Sequence, residues 1–343
     1  MIKNSIFVPQ NRHSIIMGKV LGMGNALVDI LLKLENDLLL ETLALPKGSM
    51  QLVDSRTAAD VIRAVGHNGA TKASGGSAAN TIHGLANLGV KTGFLGKVGK
   101  DEWGAFFKKD MESLDIDPIL LESNTQSGRA IALISPDSER TFATYLGAAV
   151  EMRAEDIPSD VFSDYSYLHI EGYLVQNQEL IEEAVKRARQ HGVKVSLDLA
   201  SFNVVEENLE FLRGIVRDYV DILFANEEEA KSFTEGLEDE AALEWMGKLC
   251  DMVILKLGAE GSLIKHKTEL VRVKAVVANP VDTTGAGDLY AAGFLYGLIN
   301  SLSLKKCGDI GALLSARVIE VVGPKMGEVR WEAIRREIQA LNN

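Results

Sequence analysis

The sequence predicts an α/β fold, a doubly wound parallel sheet covered by helices on both faces. From Lys19 onward, short β-rich runs alternate with helical patterns, an order typical of βαβ units. Strands are predicted at 19–23, 92–98, 167–171, 193–199, 220–225 and 252–257, with amphipathic helices at 77–88, 102–114, 178–191 and 239–249. After Leu257 the pattern predicts a strand hairpin and then helices at 286–299, 303–321 and 330–341. These elements form one large domain over residues 18–343.

Two regions interrupt this alternation and predict a second, smaller sheet. Residues 28–54 and 128–147 contain alternating segments, and no helical pattern separates RAIALIS from RTFATYL. The turn residues at 136–139 (PDSE) indicate an antiparallel hairpin between those two segments. In an α/β enzyme, such a small accessory sheet would form a lid.

Composition excludes several classes of protein. The 343 residues are 46% hydrophobic and 24% charged, and 36 basic against 48 acidic residues give a formal charge of −12. This charge disfavours nucleic acid or an anionic membrane as the main partner, and no run of about 20 apolar residues predicts a membrane span. The two cysteines form no CxxC motif, which favours a reducing compartment, the cytoplasm. Residues 1–17 lack the unbroken apolar stretch of a signal peptide, and we expect them to be a disordered extension.

The most specific motif is DTTGAGD at 282–288, which precedes an apolar helix. Gly285 and Gly287 let backbone N–H groups converge at the start of that helix, where an anion such as a phosphoryl group binds well. Asp288 would repel a phosphate, but it suits a general base that takes the proton from an attacking hydroxyl. An ordinary helix N-cap is the alternative interpretation of this motif.

Two motifs near the N-terminus predict binding of a polyol. SGGSAAN at 74–80 places Gly75 and Gly76 before a helix and Asn80 within it, so that a ligand could approach the backbone and meet an amide. Asn25 and Asp29 follow the first strand, where a carboxylate could accept two sugar hydroxyls. Alone, each motif is also explained by a loop or a solvated strand end.

Two further motifs follow predicted strands. Asn226 and Glu229 in NEEE form either a capping box or an acidic group that holds Mg²⁺ through water, and the carboxyl ends of strands favour the second interpretation. Lys256, Gly258 and Gly261 lie in KLGAEG, where glycines fit either a plain turn or the space around a nucleotide.

Two glycine patterns are rejected as nucleotide motifs. Gly22-Met-Gly24 lacks the third glycine of a dinucleotide fingerprint, because Leu27 occupies that position. Gly84 to Thr92 nearly spells a P-loop, but Val90 is inserted before the lysine and the pattern runs from helix to strand.

Taken together, the four motifs GGSAAN, NEEE, KLGAEG and DTTGAGD resemble the PfkB (ribokinase-like) family of ATP-dependent sugar and nucleoside kinases, over nearly the whole chain from Gly18 to about Gly327. The resemblance implies a three-layer α/β/α sandwich with a β-sheet lid, which in some members pairs to form a homodimer. It implies that Asp288 is the catalytic base and that Gly285, Ala286 and Gly287 form the anion hole. The residues it assigns to substrate hydroxyls are Asn25, Asp29, Gly75, Gly76 and Asn80. The residues it assigns to ATP and Mg²⁺ are Asn226, Glu229, Lys256, Gly258, Gly261, Thr283 and Thr284.

The resemblance also implies a monovalent cation such as K⁺, bound by Asp282 and by backbone carbonyls near Val322 to Met326. Substrate choice is less specific. The GNxxxD spacing, RTFATYLGAA and HIEGYLV resemble the adenosine-kinase branch, for which Phe142, Tyr145, Leu146 and Tyr173 are candidates to stack on a purine. A sugar kinase of the fructokinase or ribokinase type is the alternative among kinases. A non-catalytic small-molecule-binding relative is the alternative that is not a kinase.

Overall fold

The computed structural model describes residues 18–65, 71–137 and 139–342. The predicted N-terminal extension, residues 1–17, lies outside the described residues. Within the described ranges, no helix is both long enough and apolar enough to cross a membrane. Cys250 and Cys307 are buried as free thiols.

The strands and helices follow one another along the whole described chain. In chain order the strands are β1 (Val20–Met23), β2 (Leu27–Lys33), β3 (Met50–Leu52), β4 (Thr71–Gly75), β5 (Thr92–Gly99), β6 (Asp117–Ser123), β7 (Gly128–Ile134), β8 (Arg140–Tyr145), β9 (Tyr167–Glu171), β10 (Lys194–Asp198), β11 (Ile222–Asn226), β12 (Met252–Lys256), β13 (Ser262–His266) and β14 (Glu269–Val273). The α-helices are α1 (Leu38–Thr42), α2 (Ser55–Val65), α3 (Ser77–Asn87), α4 (Glu102–Glu112), α5 (Gln178–Gln190), α6 (Phe202–Glu207), α7 (Leu209–Tyr219), α8 (Glu227–Phe233), α9 (Asp239–Met246), α10 (Ala286–Ile299), α11 (Leu304–Val318) and α12 (Glu328–Asn342).

The main sheet has the strand order β14-β13-β12-β11-β10-β9-β1-β5-β6. Strands β1, β5, β6 and β9 to β12 are parallel, and β13 and β14 extend the sheet as an antiparallel hairpin after β12. The doubly wound α/β fold is therefore confirmed, together with the six predicted strands and the predicted hairpin.

Each face of the main sheet is covered by its own hydrophobic core. Side chains alternate between the faces of a strand, so Leu223 of β11 belongs to one core and the neighbouring Phe224 to the other. One core joins the sheet to α3, α4 and α10 to α12. The second core joins it to α5 to α9. These are the two helical layers of an α/β/α sandwich.

A second sheet, which we call the lid sheet, has the strand order β3-β8-β7-β2-β4. Its β7 and β8 pair in antiparallel fashion, while β2 pairs in parallel with β7 and in antiparallel fashion with β4. Residues 28–54 also contain the short helix α1, which the sequence pattern did not predict. Strands β4 and β6 were missed as well, because TKASG is largely polar and DPILLES carries a proline, which an edge strand tolerates.

Candidate active site

Polar residues stand at the carboxyl ends of five adjacent parallel strands of the main sheet. Asn25 follows β1, and Glu171, Asp198, Asn226 and Lys256 are the last residues of β9, β10, β11 and β12. The chain runs outward from β1 to β5 and β6 and returns to β9 on the other side of β1, so the strand order reverses between β1 and β9. Ligands of open α/β sheets bind in the crevice at such a reversal.

Asp288 lies in the first turn of α10, and two residues of α3 hold its carboxylate. The Ser77 hydroxyl donates to Oδ1 at 2.7 Å and the Asn80 amide donates to Oδ2 at 2.9 Å. Gly285 occupies the N-cap of α10, so Asp288 is not the capping residue. Burial raises the pKa of Asp288 to about 6, although both hydrogen bonds lower it. Such a carboxylate is ionised at neutral pH and still accepts a proton readily, as a general base must.

The segment that enters α10 forms a cradle for an anion. Gly285 has a φ of 78°, and a Cβ at this position would come within 2.7 Å of the Pro324 Cβ, so glycine is required. The N–H groups in the first turn of a helix lack partners within the helix and carry partial positive charge. Gly285, Ala286 and Gly287 all line the central cavity, which is described below. The Ala286 N–H donates to the Thr283 carbonyl oxygen at 3.2 Å, so an anion could reach the N–H groups of Gly285 and Gly287 there.

Glu171 joins the two loops at the strand-order reversal, and it was not predicted from the sequence. Its Oε1 accepts from the backbone and side-chain nitrogens of Asn25, both at 2.9 Å, and its Oε2 accepts from the Ala78 N–H at 2.9 Å. Burial raises the pKa of Glu171 to about 7. Its signal in the sequence is an acidic residue that ends the otherwise apolar strand YLHIE.

Asp29 lies on β2 of the lid sheet, beside the glycines of the SGGSAAN motif. A Cβ on Gly75 would approach the Asp29 Cγ to 2.2 Å, and a Cβ on Gly76 would approach the Asn25 carbonyl oxygen to 2.3 Å. Only glycine therefore lets β4 and the start of α3 lie this close to Asp29 and Asn25. Burial raises the pKa of Asp29 to about 7, although the nearby Lys325 ammonium lowers it.

Two amide oxygens near these residues are buried and have no hydrogen-bond partner, Oδ1 of Asn25 and Oδ1 of Asn80. Buried polar atoms in native proteins are nearly always hydrogen-bonded. Asn80 lines the central cavity, so a ligand that brings hydroxyl groups would supply the donor that its Oδ1 lacks.

Lys256 stands at the end of β12 among carboxylates. Its Nζ donates to Asp198 Oδ2 at 2.8 Å and lies 3.1 Å from the place that a Cβ on Gly287 would take. Burial lowers the pKa of Lys256, but the charges of Asp198 and Glu229 outweigh it and raise the pKa above its ordinary value. A permanently charged ammonium thus lies directly beneath the anion cradle.

Asn226 and Glu229 form the capping box of α8. The Glu229 N–H donates to Asn226 Oδ1, and the Asn226 backbone and amide nitrogens donate to the Glu229 carboxylate, each at 2.8 Å. Burial raises the pKa of Glu229 to about 7. Both residues also line the central cavity, so their structural role leaves room for a second one.

A cavity of about 400 Å³ joins these groups. The predicted site residues that line it are Asp29, Gly76, Asn80, Asn226, Glu229, Lys256, Thr283, Thr284, Gly285, Ala286, Gly287 and Asp288. The predicted residues outside its lining are Asn25, Gly75, Gly258, Gly261 and Asp282. Gly258 and Gly261 lie in the turn after β12 with φ of 48° and 100°, a geometry that explains both glycines without a nucleotide.

The cavity also contains groups that the motifs did not reveal. Asp198 and Arg140 both line it, and Arg140 is the basic residue of the RTFATYL segment in β8. The Arg140 guanidinium forms an ion pair with Asp282 and donates to the Thr284 hydroxyl at 3.1 Å. Of the candidates to stack on a purine, Phe142 and Tyr173 line the cavity, and Tyr145 and Leu146 do not.

Comparisons with known proteins show which family this chain is similar to. The sequence model of the family described as "pfkB family carbohydrate kinase" matches residues 56–328. A 5-dehydro-2-deoxygluconokinase from Geobacillus thermodenitrificans is 31% identical in an alignment of 269 positions that covers 73% of this chain and 79% of that protein.

Two solved structures resemble nearly the whole chain. A probable sugar kinase from Rhizobium etli superposes with a TM-score of 0.83 at 34% identity, and an adenosine kinase from Sinorhizobium meliloti superposes with a TM-score of 0.83 at 35% identity. Each alignment covers 94% of this chain and 99% of the other.

Proposed function

The chain belongs to the pfkB family of carbohydrate kinases, ATP-dependent phosphotransferases that act on a sugar or nucleoside hydroxyl, and from this premise we propose that its acceptor is a neutral, adenosine-like nucleoside and its general base Asp288. One observation carries the choice of Asp288 as the base. The Asp288 carboxylate, with its raised pKa, is held by Ser77 and Asn80 at the mouth of the N–H cradle.

The proposed reaction is a direct displacement. The primary hydroxyl oxygen of the acceptor attacks the γ-phosphorus of ATP, and its proton passes to Asp288. The bond between the γ-phosphorus and the β,γ-bridging oxygen breaks, and ADP leaves with that electron pair. The N–H groups of Gly285 and Gly287 and the Lys256 ammonium stabilise the charge on the transferring group. Asp288 then releases its proton to solvent.

Glu229 and Asn226 are the residues of the cavity lining that suit Mg²⁺-ATP. Among the described residues, no cluster of three His, Cys, Asp or Glu side chains is arranged to hold a metal by itself. Mg²⁺ in kinases is commonly held by one or two carboxylates, water and the phosphates of the nucleotide. Glu229 and Asn226 would be the protein residues that hold it here. Bound there, Mg²⁺ would neutralise charge on the β- and γ-phosphates.

The charges that line the cavity support a neutral acceptor. Arg140 is paired with Asp282 and Lys256 with Asp198. Among the described residues, both positively charged side chains that line the cavity therefore have carboxylate partners. The ionised carboxylate of Asp29 would repel an anionic acceptor. Phe142 and Tyr173 add aromatic surface for a base, which is consistent with the 35% identity to the Sinorhizobium meliloti adenosine kinase.

A sugar kinase is the second candidate, because the Geobacillus relative is named a 5-dehydro-2-deoxygluconokinase. In that case Asp29 and Asn80, which line the cavity, would bind sugar hydroxyls. The aromatic residues would then have no role in recognition, and a fructokinase or ribokinase activity would fit the site as well.

An ADP-release assay distinguishes these candidates. The protein is supplied with Mg²⁺-ATP and, separately, adenosine, inosine, ribose, fructose or 5-dehydro-2-deoxygluconate, with Asp288→Asn as the matched control. We expect turnover with adenosine and loss of roughly 10²- to 10⁴-fold in the Asp288→Asn variant, with ATP binding retained. Turnover only with a sugar would reject the nucleoside proposal, and full activity of Asp288→Asn would reject the base. ATP binding without turnover on any acceptor would indicate a non-catalytic relative.

We further propose that the lid sheet pairs two copies of the chain. Its edge strand β3 exposes Met50 and Leu52 by 57% and 62%, and exposed apolar edges of this kind favour association. Sedimentation velocity should show a dimer for the wild type and a monomer for Leu52→Lys. An unchanged dimer in the variant would place the contact elsewhere. The cytoplasm, where ATP is abundant, remains our expectation for its location.

A further inference from the structure

Asp282 is the residue for which the family resemblance implies a monovalent cation, but in this chain its carboxylate is already paired. Oδ1 accepts from the Thr284 N–H at 2.9 Å and faces the Arg140 guanidinium. Oδ2 accepts from the Gly323 N–H. The Thr284 hydroxyl also hydrogen-bonds to this carboxylate, so every partner is an N–H or O–H donor.

The loop that would complete the implied cation site also directs an N–H group toward Asp282. The loop at 322–326 was expected to contribute backbone carbonyl oxygens, yet Gly323 in this loop directs its N–H to Asp282. A hard cation requires several oxygen ligands around it. It would also lie close to the positive charge of Arg140, from which it would be repelled. The residues present do not fit a monovalent cation at Asp282.

Arg140 comes from the lid sheet, whereas Asp282 and Thr284 precede α10 in the main domain. The Arg140 side chain is 13% exposed and that of Asp282 is 3% exposed, so the pair is shielded from bulk water. Because Arg140 also donates to the Thr284 hydroxyl at 3.1 Å, one side chain fixes two residues of the segment that leads into the anion cradle.

We propose that the guanidinium of Arg140 takes the place of a monovalent cation at Asp282, so that Arg140 is a positioning residue of the anion cradle and phosphoryl transfer is independent of K⁺. This inference rests on the proposed kinase function. The positive charge next to Asp282, which the family resemblance attributes to K⁺, would then come from Arg140 of the lid sheet.

The first test uses the wild-type protein in KCl, NaCl and tetramethylammonium chloride at equal ionic strength. We expect kcat and the KM for ATP to agree within about twofold in all three salts, and the midpoint of thermal unfolding to be the same. Stimulation of kcat by about tenfold or more in K⁺ alone, or a higher unfolding midpoint in K⁺ alone, would overturn the proposal. The unfolding measurement needs no turnover, so it remains decisive even if no acceptor is found and the kinase proposal fails.

The second test uses Arg140→Met, with Arg140→Lys and the exposed Arg336→Met as matched variants. Loss of the guanidinium leaves Asp282 buried without a cationic partner. We expect kcat of Arg140→Met to fall by at least about tenfold, with partial recovery in Arg140→Lys or on addition of K⁺. Arg336 is 77% exposed, and its variant should match the wild type. Wild-type kcat in folded Arg140→Met would overturn the role of Arg140.

Discussion

At the scale of single residues, the activity of this protein should depend on the ionisation of Asp288. Burial raises its pKa from 3.8 to about 6, and only the ionised carboxylate can accept a proton from the acceptor hydroxyl. We therefore expect kcat to be constant at neutral pH and to fall by about tenfold per unit below pH 6. A pH profile of kcat at saturating substrates measures this fall, the acid limb of the profile.

The variant Ser77→Ala tests whether that limb belongs to Asp288. The Ser77 hydroxyl donates to the ionised carboxylate at 2.7 Å and so lowers its pKa. Without this hydrogen bond the pKa of Asp288 should rise, and the acid limb should move to higher pH. Ser163→Ala, at an exposed turn far from the cavity, is the control and should leave the limb in place. An unmoved limb in Ser77→Ala would assign it to another group.

Lys325 should control the ionisation of a second carboxylate, Asp29. The Lys325 Nζ is buried without a hydrogen-bond partner, and its charge lowers the pKa of Asp29 against the effect of burial. In Lys325→Met the pKa of Asp29 should rise above about 7, so that more of Asp29 is protonated at neutral pH. We expect a higher KM for the acceptor at pH 7, with recovery at higher pH.

The control for Lys325→Met is Lys248→Met, which removes an exposed lysine and should leave KM unchanged. If the KM of Lys325→Met is raised equally at every pH, the effect is not electrostatic. That result would indicate lost packing around the lysine stem instead.

At the scale of elements, the site depends on how closely α3 approaches α10. Gly84 of α3 faces Ala292 of α10, and a Cβ at Gly84 would come within 2.7 Å of the Ala292 Cβ and 2.9 Å of Leu289 Cδ1. This contact lets Ser77 and Asn80 of α3 reach Asp288. We expect Gly84→Ala to lower the free energy of unfolding by roughly 1–3 kcal/mol through overpacking and to lower kcat.

Gly214 provides the matched control in helix α7. No atom would lie within 4 Å of a Cβ at Gly214, and its φ is ordinary. Gly214→Ala should therefore raise the free energy of unfolding by about 0.5–1 kcal/mol with no change in kcat. Denaturant unfolding and steady-state kinetics measure both effects. Equal stability changes in the two variants would show that α3 and α10 separate without cost.

The elements also show what the sequence could and could not predict. Most strands of the main sheet were predictable because buried parallel strands are continuous apolar runs between helices. The exception was the edge strand β6, which carries a proline. Strand β4 was not predictable either, because its residues TKASG carry no hydrophobic alternation. Gly84, rejected as part of a P-loop, serves helix packing instead. Its partner Ala292 is more than 200 positions away, and no local pattern reveals such a contact.

The same distinction applies to the candidate site. DTTGAGD and SGGSAAN identified residues of the cavity because closely spaced glycines before a helix let a ligand approach the backbone. Glu171, Asp198 and Arg140 each stand alone in the sequence. They reach the site only because strands β9 and β10 and the lid sheet end there, and this is a property of the tertiary structure.

At the scale of the whole molecule, the lid sheet is connected directly to the cavity. Strands β2 and β4 lead from the lid sheet to Asn25 and Gly76, and β8 carries Arg140 across to Asp282. A substrate bound by Asp29 would therefore touch both the lid sheet and the main domain. Any closure of the lid sheet would bring these contacts together.

We expect the lid sheet to close when both substrates are bound, because a kinase must exclude water from the reactive phosphoryl group or it hydrolyses ATP. Hydrogen–deuterium exchange of Asp288→Asn with Mg²⁺-ATP and the acceptor measures this closure without turnover. Amides of β7 and β8 should exchange more slowly in the ternary complex than in the free protein, and each substrate alone should produce less protection. Amides of α7, which packs in the second core and contributes no residue to the cavity lining, should exchange at an unchanged rate. Equal exchange of β7 and β8 in the free and ternary states would mean that the lid sheet is already in its closed position, held there by Arg140, and that water is excluded by the substrates themselves.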